Sequence, residues 1–391
     1  MPKKDRILNL PGFTLQKVTG KNPLFLHVKY RPQPRCVHCH GKHLRKKHSF
    51  QRVVRHHTIA RRQTFLCFKA YKFYCLHCHR YFNQRFHGIL KYQRATEVLK
   101  EEIFVQHTNG VDQKRLATQF ALGKGTIERW YHRHYHLKNQ HIIHRPCPRI
   151  LGVDEHFFTR KQGYATTFCD LQRQRIFDIA PGRSQSDLHA YLSQLPNRQR
   201  VNVVCIDLST TYRSIIKRYF PQAKIVADRF HVIRLINHQC MKAYQQLDPT
   251  IKHQRGLLAL LRTNPDKLSP KRRLKRDNYF AKQPTIAAIY QFKQQLHQLL
   301  MYKCATAKKC RRLIPLLLQY MNQLKQSSFE PLKKLGKTLY YWRDEIVRMW
   351  RFTKNNGITE GFHRKMKLIQ RRAYGFRNFE NYRLRVRVLC S

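Results

Sequence analysis

Two pairs of cysteines stand at metal-binding spacing: Cys36-x-x-Cys39 and Cys75-x-x-Cys78, with 35 residues between the pairs. A two-residue gap lets both thiolates of one turn face a single ion, and four soft ligands in a tetrahedron are what zinc takes. His38, His40, His77 and His79 flank the same cysteines, and any of them could replace a thiolate, so the spacing leaves the ligand set open. Four protein ligands leave no open position, so such a zinc would hold a small domain together and do no chemistry. Arg45, Lys46, Lys47 and Arg52 lie between the knuckles and could touch phosphate or simply face water.

The second set is acidic, in a chain where acids are scarce: 21 Asp and Glu against 78 Lys and Arg. Asp154 follows the apolar run Ile150-Leu151-Gly152-Val153. Asp207 closes Val203-Val204-Cys205-Ile206, and Asp228 closes Lys224-Ile225-Val226-Ala227. Glu360 sits in Asn355-Asn356-Gly357-Ile358-Thr359-Glu360-Gly361, which reads as the start of a basic helix. Carboxylates at neighbouring strand ends can share two divalent ions about 4 Å apart, and such a pair supports in-line displacement at phosphorus. Mg²⁺ suits hard carboxylate oxygens and keeps positions open for water and phosphate. Any one of these acids alone reads as a helix cap or an ion-pair partner. Several at consecutive strand ends point to a site.

The elements needed to place them follow from the hydrophobic pattern. Residues 1–90 carry short strand-like runs, Leu24 to Val28 and Arg62 to Phe68, around the cysteines. Residues 93–137 turn helical, within a domain over 91–145, and Pro146 and Pro148 mark a linker. Ile150–Asp154, Tyr164–Leu171, Arg175–Ala180, Val201–Asp207 and Lys224–Asp228 read as strands, with helices over Ser186–Leu195 and Thr211–Tyr219. From Arg229 to about Phe352 the periodicity is almost wholly helical. This is an α/β core, residues 149–246 and 353–391, interrupted by an all-helical insertion over 247–352. Trp342 and Trp350, within that insertion, are either core aromatics or platforms for unpaired bases.

Within 91–145, Thr96–Thr108 reads as one helix, and Asp112 as the cap of a second with Leu116, Ala117 and Phe120 as its apolar stripe. Leu122-Gly123-Lys124-Gly125-Thr126 is a turn, and Thr126–Arg133 follows as a third helix. This order predicts a helix-turn-helix, whose last helix would enter a major groove. Lys124, Thr126, Arg129 and Arg133 are then the DNA-binding candidates; the alternative is an ordinary helical hairpin with Ile127 and Trp130 as core.

A formal net charge of +57 on 391 residues points to a polyanionic partner, because phosphate neutralisation releases counterions. No apolar run is long enough to span a bilayer, which excludes an integral helical membrane protein. Met1-Pro2-Lys3-Lys4-Asp5 lacks the apolar stretch of a signal peptide. Scattered cysteines such as Cys147, Cys169, Cys205 and Cys240 then read as small buried apolar residues in a reducing compartment.

The wording of several blocks resembles the ISL3 family of bacterial insertion-sequence transposases. The blocks are Gly152-Val153-Asp154-Glu155, Ile206-Asp207-Leu208-Ser209 with Tyr212, and Ala223 through Asp228-Arg229-Phe230-His231-Val232. The last runs from Asn356-Gly357-Ile358-Thr359-Glu360-Gly361 through Lys365, Lys367 and Arg372-Ala373-Tyr374-Gly375-Phe376-Arg377-Asn378-Phe379. The likeness extends nearly end to end, from the double CxxC onward. It implies a ribonuclease H-like fold and a catalytic triad of Asp154, Asp207 and Glu360 holding two Mg²⁺ or Mn²⁺ ions. It also implies that Asp228-x-x-His231 is an accessory pair orienting the site or the DNA. Phe362-His363-Arg364 departs from the family's wording, where asparagine is expected.

The expected protein is therefore a DNA transposase of the bacterial cytoplasm and nucleoid. A zinc ribbon and a helix-turn-helix would bind the element's terminal repeats, and the core would cut a strand and join it to target double-stranded DNA. Two ends must be brought together, so the resemblance implies a homo-oligomer. The rival is a DNA-binding regulator or inactive copy that binds the same ends without cutting.

Overall fold

The computed structural model describes residues 8–304, 306–352 and 357–391; Met1–Asp5, and Asn355 and Asn356 of the Glu360 block, lie outside them. The chain divides into two compact units, residues 1–141 with 369–375, and residues 142–368 with 376–391.

In the first unit, β1 (Phe13–Thr19), β2 (Leu24–Tyr30), β3 (Leu44–Ile59), β4 (Arg62–Cys75) and β5 (Tyr81–Asn83) form a mixed sheet. Its order is β1-β2-β4-β3, with β5 also pairing with β4. The sequence predicts a short strand at 62–68, but β4 runs on to Cys75 because it serves two cores. Thr64, Leu66, Phe68 and Ala70 are buried at period two, and the phase then shifts so that Phe73 and Cys75 are buried instead. The shift lies opposite an irregularity in β3 between Lys46 and His48. Successive side chains of a strand point to opposite faces, so Ala70 and Phe73, an odd number apart, face opposite sides of β4. Leu66, Phe68 and Ala70 thus pack with Phe13, Leu26 and Val28, whereas Phe73 and Cys75 pack with Cys36 and Phe82.

Three helices follow: α1 (Glu97–Thr108), α2 (Gln113–Phe120) and α3 (Lys124–Ile143). The Asp112 side chain accepts from Arg115 N, the cap the sequence predicts, and Thr96, expected as the first helical residue, instead caps α1 by accepting from Leu99 N. Ala121 ends α2 in the left-handed conformation, φ 44°. The third helix begins at Lys124 rather than Thr126 and is far longer than its first two turns suggest.

The second unit holds β6 (Ile150–Thr159), β7 (Gly163–Asp170), β8 (Arg175–Pro181), β9 (Val203–Ile206) and β10 (Lys224–Ala227), in the order β10-β9-β6-β7-β8. The first three make an antiparallel meander, and β9 and β10 add in parallel beside β6. Helices α4 (Gln185–Ser193) and α5 (Thr210–Tyr219) connect the later strands, and α6 (Arg229–Leu247) leaves the last one. The sequence places the end of the first strand at Asp154; β6 instead continues to Thr159. Its pairing with β9 covers only Ile150 to Gly152, while pairing with β7 carries it onward.

From α6 the chain is helical, as the periodicity predicts: α7 (Arg255–Arg262), α8 (Pro270–Lys282), α9 (Pro284–Met301), α10 (Ala307–Gln326), α11 (Glu330–Tyr341) and α12 (Arg343–Arg348). Then come α13 (Gly357–Arg372) and α14 (Phe379–Leu389). One apolar core runs without a break from the strands into these helices, from Leu151 and Val204 to Leu300 and Leu339. Trp342 and Trp350 belong to that core; Trp350 is fully buried and its Nε1 donates to Leu299 O at 2.9 Å. Base stacking is thereby excluded for both. Helix α14 lies on β8, tied by Ile176 N donating to Cys390 O and by Arg383 clamping Asp178 at 2.7 Å. No helix among the described residues is long and apolar enough to cross a membrane.

Candidate active site and candidate metal centre

The parallel pairing of β6, β9 and β10 stops at one edge of the sheet, and an aspartate stands just beyond it on each strand. Asp154 lies two residues past the last β6 residue paired with β9, Asp207 directly follows β9, and Asp228 directly follows β10. Short strands with β-branched side chains fix this geometry, because neighbouring parallel strands share one register.

The three acids feel one another. Burial pushes the Asp154 carboxyl up to about 6; His231 pulls it down, and Asp207 and Asp228 add to the rise. Burial also raises Asp207, again against His231, with Glu155 and Asp228 contributing repulsion. Asp207 Oδ1 is buried and has no hydrogen-bond partner among the described residues. Two desolvated, mutually repelling carboxylates, one with an unused acceptor, suit a hard divalent cation.

Asp228 caps α6, accepting from Phe230 N at 3.3 Å, and its Oδ2 lies 3.7 Å from His231 Nε2 one turn along. The cap and the D-x-x-H pairing are thus the same local structure. It places His231 near enough to Asp154 and Asp207 for its charge to lower both.

Glu360 stands apart. It is exposed in the first turn of α13, and its Oε1 lies 3.4 Å from Arg364 Nη2. Among the described residues, the carboxylates do not gather within the 4.8 Å span that the cysteine sulfurs below achieve. What α13 brings to Asp154 is His363, whose Nδ1 is 3.9 Å from Asp154 Oδ2. Thr167 Oγ1 lies 3.2 Å from His363 Nε2 and 3.0 Å from His156 Nδ1, and Tyr382 Oη is 3.0 Å from His156 Nε2. Burial, then Lys367, lowers His363 to about 4, and burial, then His363, lowers His156 to about 3. Both imidazoles are neutral near pH 7, so the approach to Asp154 is not an ion pair. Sequence reasoning missed this relay. Its one signal was the departure at Phe362-His363-Arg364.

In the first unit, the four sulfurs of Cys36, Cys39, Cys75 and Cys78 all lie within 4.8 Å of one another. Cys36 and Cys78 are 3.5 Å apart, as are Cys39 and Cys75. A tetrahedron with metal–sulfur bonds of about 2.3 Å has edges of about 3.8 Å. The two knuckles share one backbone form. His40 N donates to Cys36 O and His79 N to Cys75 O, with both histidines left-handed, φ 61° and 55°. Gly41 lies against the cluster, where an added Cβ would sit 3.3 Å from Cys39 Sγ. None of the four flanking histidines joins. The cluster is compatible with a structural zinc.

On α3, Lys124, Arg129 and Arg133 are exposed and Thr126 is half-buried. Ile127 and Tyr131 are buried, so the helix has one core face and one basic face. Arg129 Nη2 donates to Thr126 Oγ1 at 3.2 Å. Thr126, Arg129 and Arg133 border one cleft; Lys124 does not.

Residues 151–386 match the ISL3 DDE family, described as transposase. Over 248 residues the chain is 28% identical to the transposase for insertion sequence element IS1001 of Bordetella parapertussis. That alignment covers 61% of this chain and 60% of the relative, so the chain spans about three fifths of the length of the curated protein it matches.

Proposed function

Since the chain belongs to the ISL3 transposase family, we propose that it binds the ends of a DNA element, cuts a strand there and joins the freed 3′ end to target DNA. The observation that carries this reading is the half-buried pair Asp154 and Asp207 just past the parallel β6–β9 pairing, with an unused acceptor on Asp207. Together with Glu360 they would hold Mg²⁺ or Mn²⁺. When bound, two such ions supply charge neutralisation at phosphorus and an activated oxygen nucleophile. Asp228 and His231 serve as positioning residues, setting the charge around both aspartates. An antiparallel meander extended by two parallel strands supports a ribonuclease H-like core over 149–246 and 353–391, with the 247–352 helices as insertion.

The first 90 residues act as a zinc ribbon, with Zn²⁺ on Cys36, Cys39, Cys75 and Cys78. Residues 91–145 act as a helix-turn-helix; the capped α1 and α2 and the tight turn into α3 support it. Double-stranded DNA is the partner, in a homo-oligomer that holds two ends. The test is cleavage of labelled duplex carrying the source element's ends, with Mg²⁺ or Mn²⁺. Metal-dependent nicking at the ends is the expected result. Specific binding without nicking, under conditions where a related active transposase cuts, would replace this reading with a DNA-binding regulator.

A further inference from the structure

The Thr126–Arg133 face of α3 opens into a cleft of about 620 Å³, and the opposite wall comes from the sheet. Val53, Arg55 and Phe65 supply that wall, and Arg94 supplies its rim. The walls are fixed to each other. The chain over Arg94–Thr96 runs along β3, with Arg55 N donating to Arg94 O at 2.8 Å and Thr96 N to Arg55 O at 2.9 Å. The Arg55 guanidinium donates to Ala121 O at 3.2 Å and to Phe120 O, holding the end of α2 and the turn before α3. Arg55 is therefore committed to structure. Lys100, deep in the cleft, is neutralised by Glu97 at 2.6 Å. Arg94 and Arg133 have no ion-pair partner among the described residues, and Arg129 contacts only the neutral Thr126 hydroxyl in its own helix. Three solvent-facing guanidiniums thus edge a cleft whose lining includes Val53, Phe65 and Trp130.

We propose that this cleft is a clamp for the DNA sugar–phosphate backbone, with Arg94, Arg129 and Arg133 on phosphates and the apolar lining against deoxyribose. Arg129 and Arg133 are one helical turn apart, about 6 Å, of the order of the step between successive phosphates on one strand. Spread charge of this kind fits a polyanion better than a small anion, which a converging set would hold. The inference rests on the DNA-binding reading above and changes part of it: Arg129 and Arg133 position the duplex and carry no sequence information, because phosphate contacts are sequence-independent.

The test is affinity against salt for full-length wild type, Arg94→Gln, Arg133→Gln and Arg133→Lys. Each is titrated on a duplex with the element's ends and on a scrambled duplex. For either Gln variant, affinity is expected to fall about threefold to tenfold on both duplexes alike, and the salt slope by about 0.9. Arg133→Lys should restore the slope. A loss confined to the end duplex would make these arginines base readers and overturn the clamp. So would unchanged affinity on both duplexes. Wild-type preference for the end duplex is read separately in the same titrations. A clamp signature without that preference would leave the clamp standing and remove the end-binding reading.

Discussion

The two candidate metal centres are built on opposite plans. The cysteine cluster takes its ligands from two knuckles of local sequence and closes on itself, with four sulfurs within 4.8 Å and little room beside Gly41. The acidic site takes Asp154 and Asp207 from strands separated by about fifty residues of chain and leaves an acceptor of Asp207 unused. A closed four-ligand site stabilises a fold; an open one can admit water or substrate. The difference teaches that closure is a local matter and openness a topological one.

The largest effects break the open site. Asp154→Asn and Asp207→Asn are each expected to lower end cleavage at least about a hundredfold, with end binding retained in gel-shift titrations. Glu360→Gln is expected to do the same and sharpens the comparison. Full cleavage in that variant would mean the site works with the two aspartates and another group.

At the closed site, Cys36→Ser is expected to lose bound zinc and unfold residues 1–90, since ribbon zinc is folding energy. Metal analysis and limited proteolysis check it. A retained, metal-free fold in that variant would make the closed cluster dispensable. End cleavage should fall only through lost DNA binding, so pre-bound or high-concentration substrate should recover part of it.

Both plans assume that burying charge without a counter-ion is costly, and Lys293 isolates that cost. It is buried in the helical insertion with its Nζ donating to Leu261 O at 2.6 Å. Burial lowers it to about 8. A lysine whose folded value is below its unfolded one costs stability below the folded value, and the cost fades as pH rises towards the unfolded value. Wild-type stability should therefore rise relative to Lys293→Met by about 2 kcal/mol between pH 7 and 9.5. Denaturant unfolding of both proteins at the two pH values measures it. A constant difference would mean the site is better solvated than its burial implies.

The smallest effect on stability separates a cap from an active-site role. Asn caps about as well as Asp, so Asp228→Asn should change thermal stability by less than about 0.5 kcal/mol while removing the charge beside His231. Reduced cleavage with an unchanged melting curve supports the positioning role. Unchanged cleavage would reduce Asp228 to a cap.

What the sequence made legible follows the same division. The CxxC pairs, Asp112 as a cap, and Asp207 and Asp228 at strand ends all rest on spacing or on residue type at a boundary. The length of β6 and the two-core character of β4 were not legible. Each depends on how a neighbouring hairpin strand pairs with it, β7 for one and β3 for the other, which residue type at a boundary does not announce. The His363–Thr167–His156–Tyr382 relay joins α13, two strands and α14, and no local pattern announces a contact across 226 positions. The choice between core and stacking for Trp342 and Trp350 likewise awaited the packing of the insertion, where both are buried.

The half-buried pair Asp154 and Asp207 is proposed to cut DNA. The most direct test is single-turnover cleavage of end-bearing duplex by wild type and Asp207→Asn in Mg²⁺, with binding measured on the same samples. Cutting by wild type alone, at equal binding, is the predicted result. Equal cutting by both proteins would contradict it.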